Sequence, residues 1–479
     1  MLGSDRHLLR LALQAESCCF REPDLALTRM RQLLEAIAAD WELVETPNEL
    51  PGLRVVQKAA IREIEAAIAS GQTAILLAMA TGTGKTRTAI SLIYLLIKSK
   101  RFRRILFLVD RSELGRQAFD NGFDQIKLEQ LQTFTEIYDV RELGDAKIDR
   151  ETKVHIATVQ SMVKRVMLIG DTPPPPVDQY DCIIIDECHR GYNLDRDMAD
   201  HELAFRSEAD FIAKYRRVVD HFHAVKIGLT ATPAQHTADI FGRPVFTYTY
   251  REAVTDGFLC DHEPPIRIVT KLTGSGIRWK KGEAMRTYDP GTGTIDLVTV
   301  PDEVIKDVDA FNNEVITEPF NRTVCKALAA HLDPETPGKT LVFCARDTHA
   351  DLFVRVLKEE MDLRWGPQPD AMITKITGSA LDADDTLIKR YKNESFPRIA
   401  VTVDLLTTGI DVPEINRLVF VRRVKSRILY EQMIGRATRL CENLFGEGND
   451  KEYFEIFDAV DLYAILEDFT TMKPVVTHP

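Results

Sequence analysis

The feature that most constrains the fold is an apolar run, a glycine-rich loop and an amphipathic helix in immediate succession. The run Ala74–Met79 is typical of a buried strand, and Thr88–Ile97 has helical periodicity. Between them, residues 79–86 read M-A-T-G-T-G-K-T. Glycines let the backbone approach an anion closely, and the first amides of a helix attract negative charge. The segment therefore predicts a phosphate-binding loop on an α/β sheet.

The polar residues of this loop predict binding of a nucleoside triphosphate with its magnesium ion. Lys85 is long enough to reach the β- and γ-phosphates, and the hydroxyl of Thr86 suits Mg²⁺. The strict pattern begins with glycine, whereas Met79 holds that place here. ATP and Mg²⁺ are the predicted cofactors. The predicted ATP-binding residues of the loop are Thr81, Gly82, Thr83, Gly84, Lys85 and Thr86.

A pair of carboxylates supplies the second chemical signal. Asp186 and Glu187 directly follow the apolar run Cys182–Ile185, at the carboxyl end of a predicted strand, where ligands bind in α/β sheets. Hydrolysis needs a metal anchor and a group that orients water, so Asp186 suits Mg²⁺ and Glu187 suits the water. Without the loop upstream, an exposed acidic strand end would compete as an interpretation. His189 has no His or Cys at ligand spacing, which favours a hydrogen-bonding switch over a metal ligand.

The alternation of strand and helix patterns predicts an α/β fold with two parallel-sheet domains. A chain of 479 residues is too long for one hydrophobic core. Continuous apolar runs, typical of strands buried on both faces, alternate with helical patterns in both halves. The predicted strands are Ala74–Met79, Ile105–Val109, Val154–Ala157, Cys182–Ile185 and Lys226–Leu229, then Thr340–Cys344, Met372–Thr377, Arg398–Val403 and Leu418–Val421.

Breaks in this rhythm predict the domain limits. We expect a short helical segment over residues 1–48, with an ATP-binding domain over 49–258. Residues 259–315, rich in Gly, Pro and alternating Thr and Val, predict a hairpin-rich insertion or linker. The second α/β domain is expected over 316–479.

Composition narrows the class of protein without deciding its partners. Hydrophobic residues make up 44% and charged residues 28% of the chain, as in soluble globular proteins. The net charge of -12 argues mildly against nucleic-acid binding, although binding depends on local basic stripes. None of the 8 cysteines forms a CxxC pair, which favours reduced thiols over a zinc site. No signal peptide or membrane span is predicted, so we expect a cytoplasmic protein.

The motifs, taken in order, resemble those of superfamily 2 helicases. The glycine loop, D-E-C-H at 186–189 and T-A-T at 230–232 resemble motifs I, II and III. Leu53-Arg54 with Gln57 resembles the adenine-reading glutamine motif, with Val56 where an aromatic is frequent. In the second half, L-V-F-C, T-T-G-I-D-V-P and Q-M-I-G-R-A-T-R resemble motifs IV, V and VI, at 341–344, 407–413 and 432–439.

The resemblance covers residues 50–475 and implies two RecA-like domains with an ATP cleft between them. Arg436 and Arg439 share a helix face and would stabilise charge on the γ-phosphate across that cleft, unless they belong to a solvated basic helix. Further residues carried over by the resemblance are Arg54, Gln57, Gly409 and Asp411 at ATP, Gln432 beside the arginines in catalysis, and His189, Thr230 and Thr232 in coupling.

Contacts to nucleic acid are expected at loops that follow strands. Superfamily 2 motors grip one strand through its phosphates, which predicts sequence-independent binding. For each position an ordinary loop is the alternative, and Arg422, Arg423, Lys425 and Arg427 either face DNA or the cleft or form a charged surface patch. The matching positions are Arg111, Thr158, Gln160, Thr377, Gly378, Thr407 and Thr408.

Several longer stretches resemble the restriction (R) subunit of type I restriction–modification enzymes. They include L-L-A-M-A-T-G-T-G-K-T-R-T-A, R-F-R-R-I-L-F-L-V-D-R, I-A-T-V-Q-S-M and D-G-F-L-C-D-H. The resemblance implies an ATP-dependent translocase on double-stranded DNA, which partners modification and specificity subunits. That family carries a nuclease domain before the motor and a docking region after it, and we expect both to be missing here. The chain would then be a fragment, a truncated homologue or a stand-alone motor.

Two other functions stay open on sequence grounds. One is a strand-separating DNA or RNA helicase outside restriction. The other is a nucleotide-dependent binding switch that hardly turns over ATP. Strand displacement assays separate the first from a duplex translocase, and DNA-stimulated hydrolysis separates both motors from the switch.

Overall fold

The structure is a computed structural model of the chain. It describes residues 50, 52–109, 123–124, 126–128, 132–143, 148, 151–167, 174–188, 208–233, 235–269, 277–279, 284–289, 294–299, 304–306, 318–377, 381–403, 411–424, 427–466, 470 and 472. Two compact units divide the chain. The first comprises the residues up to Ala80 and Gly84–Tyr248, and the second comprises Thr81–Thr83 and the residues from Thr249 onward.

The first unit is built on a seven-stranded parallel sheet, in the order β3-β4-β2-β5-β6-β1-β7. β2 and β5 are buried along their whole length, which explains their uninterrupted Ile, Leu and Val content. The strands are β1 Ala74–Met79, β2 Ile105–Val109, β3 Val140–Glu142, β4 Val154–Thr158, β5 Cys182–Ile185, β6 Val225–Thr230 and β7 Pro244–Tyr248.

Helices follow most strands of this sheet and supply its covering layers. Leu76, Leu106 and Ile183 from the strands belong to one core cluster with Tyr215 and Phe222. The helices of the described part are α1 Val55–Ala69, α2 Lys85–Lys98, α3 Phe134–Ile137, α4 Val159–Val166, α5 Glu208–His221 and α6 Gln235–Phe241. Since the strands are parallel, their carboxyl ends, and the loops that follow β1 and β5, lie at one edge of the sheet.

The second unit has its own parallel sheet, in the order β15-β16-β14-β17-β18-β8, with β9 also paired to β18. Its strands are β8 Asp261–His262, β9 Ile266–Arg267, β14 Lys339–Phe343, β15 Ile373–Lys375, β16 Ile399–Thr402, β17 Ile415–Phe420 and β18 Tyr453–Asp458. Its helices are α7 Tyr250–Thr255, α8 Glu318–His331, α9 Asp347–Trp365, α10 Leu381–Asn393, α11 Arg427–Ile434 and α12 Leu462–Leu466, with a 3-10 turn at Asp370–Met372.

Two antiparallel pairs lie between β9 and α8 in the chain. Ile277–Trp279 (β10) pairs with Val304–Lys306 (β13), and Ala284–Asp289 (β11) pairs with Thr294–Thr299 (β12). Residues 261–267, which precede them, belong to the parallel sheet of the second unit. The domain limits given above stay predictions. No described helix is long and apolar enough to cross a bilayer.

The predicted fold class is confirmed by the two parallel sheets, and each predicted strand coincides with an observed one to within a few residues. The predicted helix Thr88–Ile97 lies within α2. Five strands of the two parallel sheets were not predicted: Val140–Glu142, Pro244–Tyr248, Asp261–His262, Ile266–Arg267 and Tyr453–Asp458. The helical segment predicted over residues 1–48 lies outside the described residues.

Candidate nucleotide-binding and hydrolysis site

The glycine loop connects β1 to α2 in a conformation that requires its glycines. Gly82 and Gly84 have φ of +94° and +90°, in the left-handed region that L side chains rarely adopt. Gly84 is the N-terminal capping residue of α2, and Lys85 is the first residue of the helix. The hydroxyl of Thr88 donates to the carbonyl oxygen of Gly84 at 3.1 Å, which closes the first turn. The helix start, with its amides, thus follows the loop directly, as phosphate binding requires.

Gln57 fastens this loop to the preceding helix. Its Nε2 donates to the carbonyl oxygen of Gly84 at 3.2 Å, while its Oε1 accepts from the amide of Arg54 at 2.9 Å. Its side chain is buried, and a Cβ added at Gly84 would collide with its amide. The side chain of the glutamine identified from sequence therefore contacts the backbone of the loop. Arg54 lies immediately before α1, where it caps that helix.

The two carboxylates at the end of β5 lie beside the lysine of the loop. Lys85 Nζ is 3.7 Å from Glu187 Oε1, and the two side chains are 7% and 20% exposed. The burial matters because a charge pair is screened less there than at the surface. The amide of Glu187 donates to Asp186 Oδ1 at 2.9 Å. Glu187 has a φ of +48°, unusual for a residue with a side chain and frequent at functional sites.

Backbone hydrogen bonds connect the acidic turn to both neighbouring strands. The amide of Asp186 donates to Leu108 of β2 at 2.9 Å, and the amide of Cys188 donates to Leu229 of β6 at 3.0 Å. The next residue of β6 is Thr230, whose Oγ1 accepts from the amide of Thr232 at 3.0 Å. The acidic turn is thus hydrogen-bonded to the residue that directly precedes the T-A-T turn. His189, the third predicted coupling residue, lies outside the described residues.

The arginines of the sequence Q-M-I-G-R-A-T-R lie just after α11 in the second unit, because that helix ends at Ile434. The prediction that Arg436 and Arg439 share a helix face is therefore wrong. Arg439 Nε donates to Asp411 Oδ1 at 2.7 Å. Burial would raise the pKa of Asp411, but the hydrogen-bonded guanidinium of Arg439, together with the charges of Arg436 and Lys392, lowers the pKa overall. Arg436 Nε donates to the carbonyl oxygen of Gln432 at 3.2 Å, and Gln432 itself is buried. The structure therefore brings Asp411 and Arg439 together, while Gly409 lies outside the described residues.

Two of the residues predicted to contact DNA have hydrogen-bond partners within the first or second unit. Thr158 is the N-terminal capping residue of α4 and accepts from the amide of Ser161 at 3.1 Å. Gln160 lies in the first turn of that helix and is half-buried. Thr377 donates its hydroxyl proton to Asp347 at 2.6 Å. Their contacts with DNA stay predictions. Arg111, Gly378, Thr407 and Thr408 lie outside the described residues.

The basic cluster after β17 is engaged with the backbone of its own unit. Arg422 is buried and donates to Cys344 and Val403, at 3.5 and 3.3 Å, the residues that follow β14 and β16. Arg423 donates to the carbonyl oxygen of Val460 at 2.6 Å. Arg427 lies 3.6 Å from Glu431, and Lys425 is outside the described residues. These contacts support a structural role for Arg422 and Arg423.

One buried residue near Arg439 was not predicted from the sequence to be part of this region. Lys451 is 1% exposed. Its ammonium donates to the carbonyl oxygen of Pro413, two residues after Asp411, and to the carbonyl oxygen of Arg439. No motif marks it, because it follows the polar turn G-E-G-N-D and precedes a strand that was not predicted. Only the tertiary structure shows where its side chain lies.

Known proteins match this chain across both units. Two family models match: "Type III restriction enzyme, res subunit" over residues 51–235, and "Helicase conserved C-terminal domain" over residues 322–441. The Escherichia coli K12 type I restriction enzyme EcoKI endonuclease subunit is 50% identical over 432 residues, 89% of this chain and 36% of that subunit. The EcoAI endonuclease subunit of Escherichia coli is 31% identical, over 86% of this chain and 47% of that subunit.

A solved structure supports the same fold. It is the fragment structure of a protein assigned as an HsdR subunit of a type I restriction enzyme from Vibrio vulnificus YJ016. It aligns with a TM-score of 0.60 and 23% identity, over 96% of this chain and 74% of that one. The chain thus spans about a third to a half of the length of the two curated relatives.

Two parallel-sheet units, a glycine-rich loop beside an acidic strand end, and the two family matches define a superfamily 2 helicase core. Within that class, the sequence identities to the two Escherichia coli endonuclease subunits show the family. The chain belongs to the restriction-subunit family of type I restriction enzymes, whose helicase region it resembles.

Proposed function

We propose that this chain is an ATP-driven motor that translocates along double-stranded DNA in a type I restriction system. The observation that carries the proposal is the pairing of Lys85 with Glu187 at the carboxyl edge of the first sheet. It places a phosphate-binding cation beside a carboxylate suited to orient water, in a chain 50% identical to a type I endonuclease subunit.

The site fits a nucleoside triphosphate with Mg²⁺. Gly82 and Gly84 leave the loop without side chains where the backbone would approach phosphate, and Lys85 projects from the first turn of α2. Thr86 and Asp186 would hold the ion. Among the described residues no three His, Cys, Asp or Glu side chains converge on a metal site, which suits Mg²⁺, because that ion takes few protein ligands and keeps phosphate and water oxygens. When bound, Mg²⁺ neutralises charge on the phosphates.

Each protein group then has a distinct role in hydrolysis. Glu187 orients the attacking water, and Lys85 holds the phosphate oxygens, so the ion pair between them is exchanged for contacts with substrate. Gln57 keeps the loop in register with α1. Gln432, Arg436 and Arg439 are assigned to stabilising charge on the γ-phosphate. Before ATP binds, Asp411 holds Arg439 through a hydrogen bond.

The DNA duplex and the other subunits are the partners that this proposal requires. The duplex would be gripped through its phosphates, without base reading, at the predicted positions named above other than Thr377, whose hydroxyl donates to Asp347. Modification and specificity subunits are the expected protein partners, because both relatives are described as subunits of type I enzymes. DNA cleavage is not part of the proposal. A cytoplasmic location remains a prediction.

The steady-state ATPase rate, with and without duplex DNA, tests the assignment of the site. We expect duplex DNA to stimulate the wild-type protein, and Lys85→Ala and Glu187→Gln each to lower kcat by about 100-fold or more, as for residues that act on the transition state. Lys226→Ala is the matched control, because Lys226 also pairs with a carboxylate of the first unit, Asp220, at 3.2 Å, yet lies outside the site.

Two outcomes would reject this assignment. Wild-type turnover by Glu187→Gln would remove Glu187 from catalysis. ATP binding without any DNA-stimulated hydrolysis would favour the nucleotide-dependent switch. Thermal unfolding of each variant checks that a lost rate reflects chemistry, since breaking the buried Lys85–Glu187 pair also perturbs folding.

A further inference from the structure

Lys451 is a buried cation surrounded by backbone oxygens. Its side chain is 1% exposed, and its Nζ lies within hydrogen-bonding distance of four carbonyl oxygens. A burial this deep is rare for lysine unless every donor is used. The distances are 3.1 Å to Pro413, 2.5 Å to Ile415, 2.6 Å to Ala437 and 2.9 Å to Arg439.

These four carbonyls come from two chain segments that carry the proposed chemistry. Pro413 and Ile415 follow Asp411, and Ala437 precedes Arg439, whose own carbonyl is the fourth acceptor. The side chains of Asp411 and Arg439 contact each other at 2.7 Å. One ammonium group therefore holds the backbone beneath both members of this ion pair.

Cys260, from a third chain segment, contacts the same part of the backbone. Its amide donates to the carbonyl oxygen of Thr438 at 2.8 Å, and its Sγ lies 3.3 Å from the carbonyl oxygen of Arg439. Its Sγ also lies 3.1 Å from the carbonyl oxygen of Lys451. The stretch D-G-F-L-C-D-H thus has a structural partner, the backbone around Arg439.

We propose that Lys451 is a positioning residue for Arg439, acting through the backbone of residues 413–415 and 437–439. The inference rests on the proposed function, because Arg439 is the group whose placement would matter for hydrolysis. An ammonium group can donate to carbonyls from several directions at once, whereas an apolar side chain of the same length can donate to none. A displacement of about 1 Å at such a group is enough to cost about 100-fold in rate.

The experiment compares Lys451→Met with Arg398→Met in the whole chain. Arg398 is the matched control, because its guanidinium donates to the carbonyl oxygens of Pro334 and Thr336 in the same unit, away from Asp411 and Arg439. We expect both variants to lose thermal stability. Lys451→Met alone should lose at least about 10-fold in kcat, with KM for ATP changed by less than about twofold.

A double variant shows whether Lys451 acts through Arg439. If it does, adding Lys451→Met to Arg439→Ala should lower kcat no further than Arg439→Ala alone. Losses that multiply in the double variant would overturn the proposal. So would a Lys451→Met rate equal to that of Arg398→Met.

Amide hydrogen exchange gives a readout that does not need ATP hydrolysis. In Lys451→Met, exchange should accelerate at residues 437–441 and at Cys260, and in Arg398→Met it should not. Unchanged exchange there would overturn the positioning role even if the protein proved inactive. If the wild-type chain proved to have no ATPase activity, accelerated exchange in Lys451→Met would leave the positioning role standing and reject the motor.

Discussion

Arg439 donates from Nε to Asp411 Oδ1 at 2.7 Å, and the two residues come from separate segments of the second unit. The side chains are 27% and 58% exposed, so solvent screens the pair and its stabilisation is on the order of 1 kcal/mol or less. The importance of the contact lies in orientation. The carboxylate engages Nε, so an anionic ligand would be met by the two terminal nitrogens of the guanidinium.

Replacing Asp411 by Asn should separate orientation from stability. We expect kcat for ATP to fall by about 10-fold, because the neutral amide no longer holds Arg439 in place. The free energy of unfolding should change by less than about 1 kcal/mol. Asp461→Asn is the control, since Asp461 accepts from Arg267 at 2.6 Å in an ion pair outside the motifs. Equal rates for the two variants would contradict the orienting role.

The pH dependence of the Asp411 contact has a definite sign. Burial raises the pKa of Asp411, but Arg439, Arg436 and Lys392 together lower the folded pKa below its usual value. Its contribution to stability is therefore present above the unfolded pKa of about 4 and is lost as the pH falls through the folded value. The difference in stability between the wild type and Asp411→Asn should shrink in acid, as urea unfolding at pH 7 and pH 3 would show.

Gly84→Ala should impair ATP binding more than its backbone conformation alone explains. Gly84 has φ +90°, and a Cβ there would meet the amide of Gln57. Gly71 has φ +85° with no neighbour within 4 Å, so Gly71→Ala carries the backbone cost of about 1 kcal/mol and nothing more. We expect the KM for ATP to rise several-fold in Gly84→Ala only. Equal KM values for ATP in Gly84→Ala and Gly71→Ala would mean that the contact between Gln57 and the loop is dispensable.

The proposed role of Lys451 predicts an alkaline loss of activity. Burial lowers its pKa to about 8. Raising the pH from 7 to 9 should then remove one of its three donors and lower kcat, with a midpoint near pH 8. Cys260, Cys441 and Arg439 are the charged or titratable groups that face it. Burial raises the pKa of Cys260 to about 11, above this window, and also raises the pKa of Cys441.

Linkage gives a check on the cause of that loss. Because the pKa of Lys451 is lower in the folded state, the unfolded chain binds more protons between about pH 8 and pH 10.5, and this group makes stability rise with pH there. A fall in kcat would thus not reflect unfolding driven by Lys451. In Lys451→Met the rate should be low and lack the midpoint near pH 8. The same midpoint in that variant would assign it to another group.

Thr377→Val distinguishes a structural hydroxyl from a DNA contact. Thr377 donates to Asp347 at 2.6 Å, and Lys375 donates to the same carboxylate at 2.9 Å. Burial raises the pKa of Asp347, but these donors lower it overall, so its contribution to stability persists at neutral pH and is lost as the pH falls. We expect Thr377→Val to lose on the order of 1 kcal/mol at pH 7, without any change in Kd for duplex DNA.

The control for that variant is Thr323→Val. Thr323 is exposed and its hydroxyl donates to Pro319 within its own helix, so the change should cost less than about 0.5 kcal/mol. A weakened Kd for DNA in Thr377→Val, with stability unchanged, would favour the direct contact predicted from sequence.

The buried strands and the residues that follow them could be predicted from sequence, because both have local causes. Ala74–Met79 and Cys182–Ile185 are continuous apolar runs, which a sheet covered on both faces requires. Lys85 follows the first run after a five-residue loop, and Glu187 follows the second after one residue, so the common edge of a parallel sheet brings them together.

The remaining features depend on contacts that no local pattern encodes. Tyr453–Asp458 places Glu455 and other polar residues within a strand, and its burial comes from neighbours far along the chain. Lys451 reads as part of a polar turn, and only the folded backbone of residues 413–415 and 437–439 surrounds it with acceptors. Arg422 likewise reads as a surface cation, although the ends of two strands bury it.

Triplex displacement tests the central claim most directly. A third strand is paired to one end of a long duplex, and its release is followed after ATP is added to the wild type and to Glu187→Gln. We predict release by the wild type after a delay that grows with the distance the motor must travel, no release by Glu187→Gln, and no separation of the duplex strands. Release independent of distance, or unwinding of a tailed duplex in place of triplex displacement, would contradict translocation along double-stranded DNA.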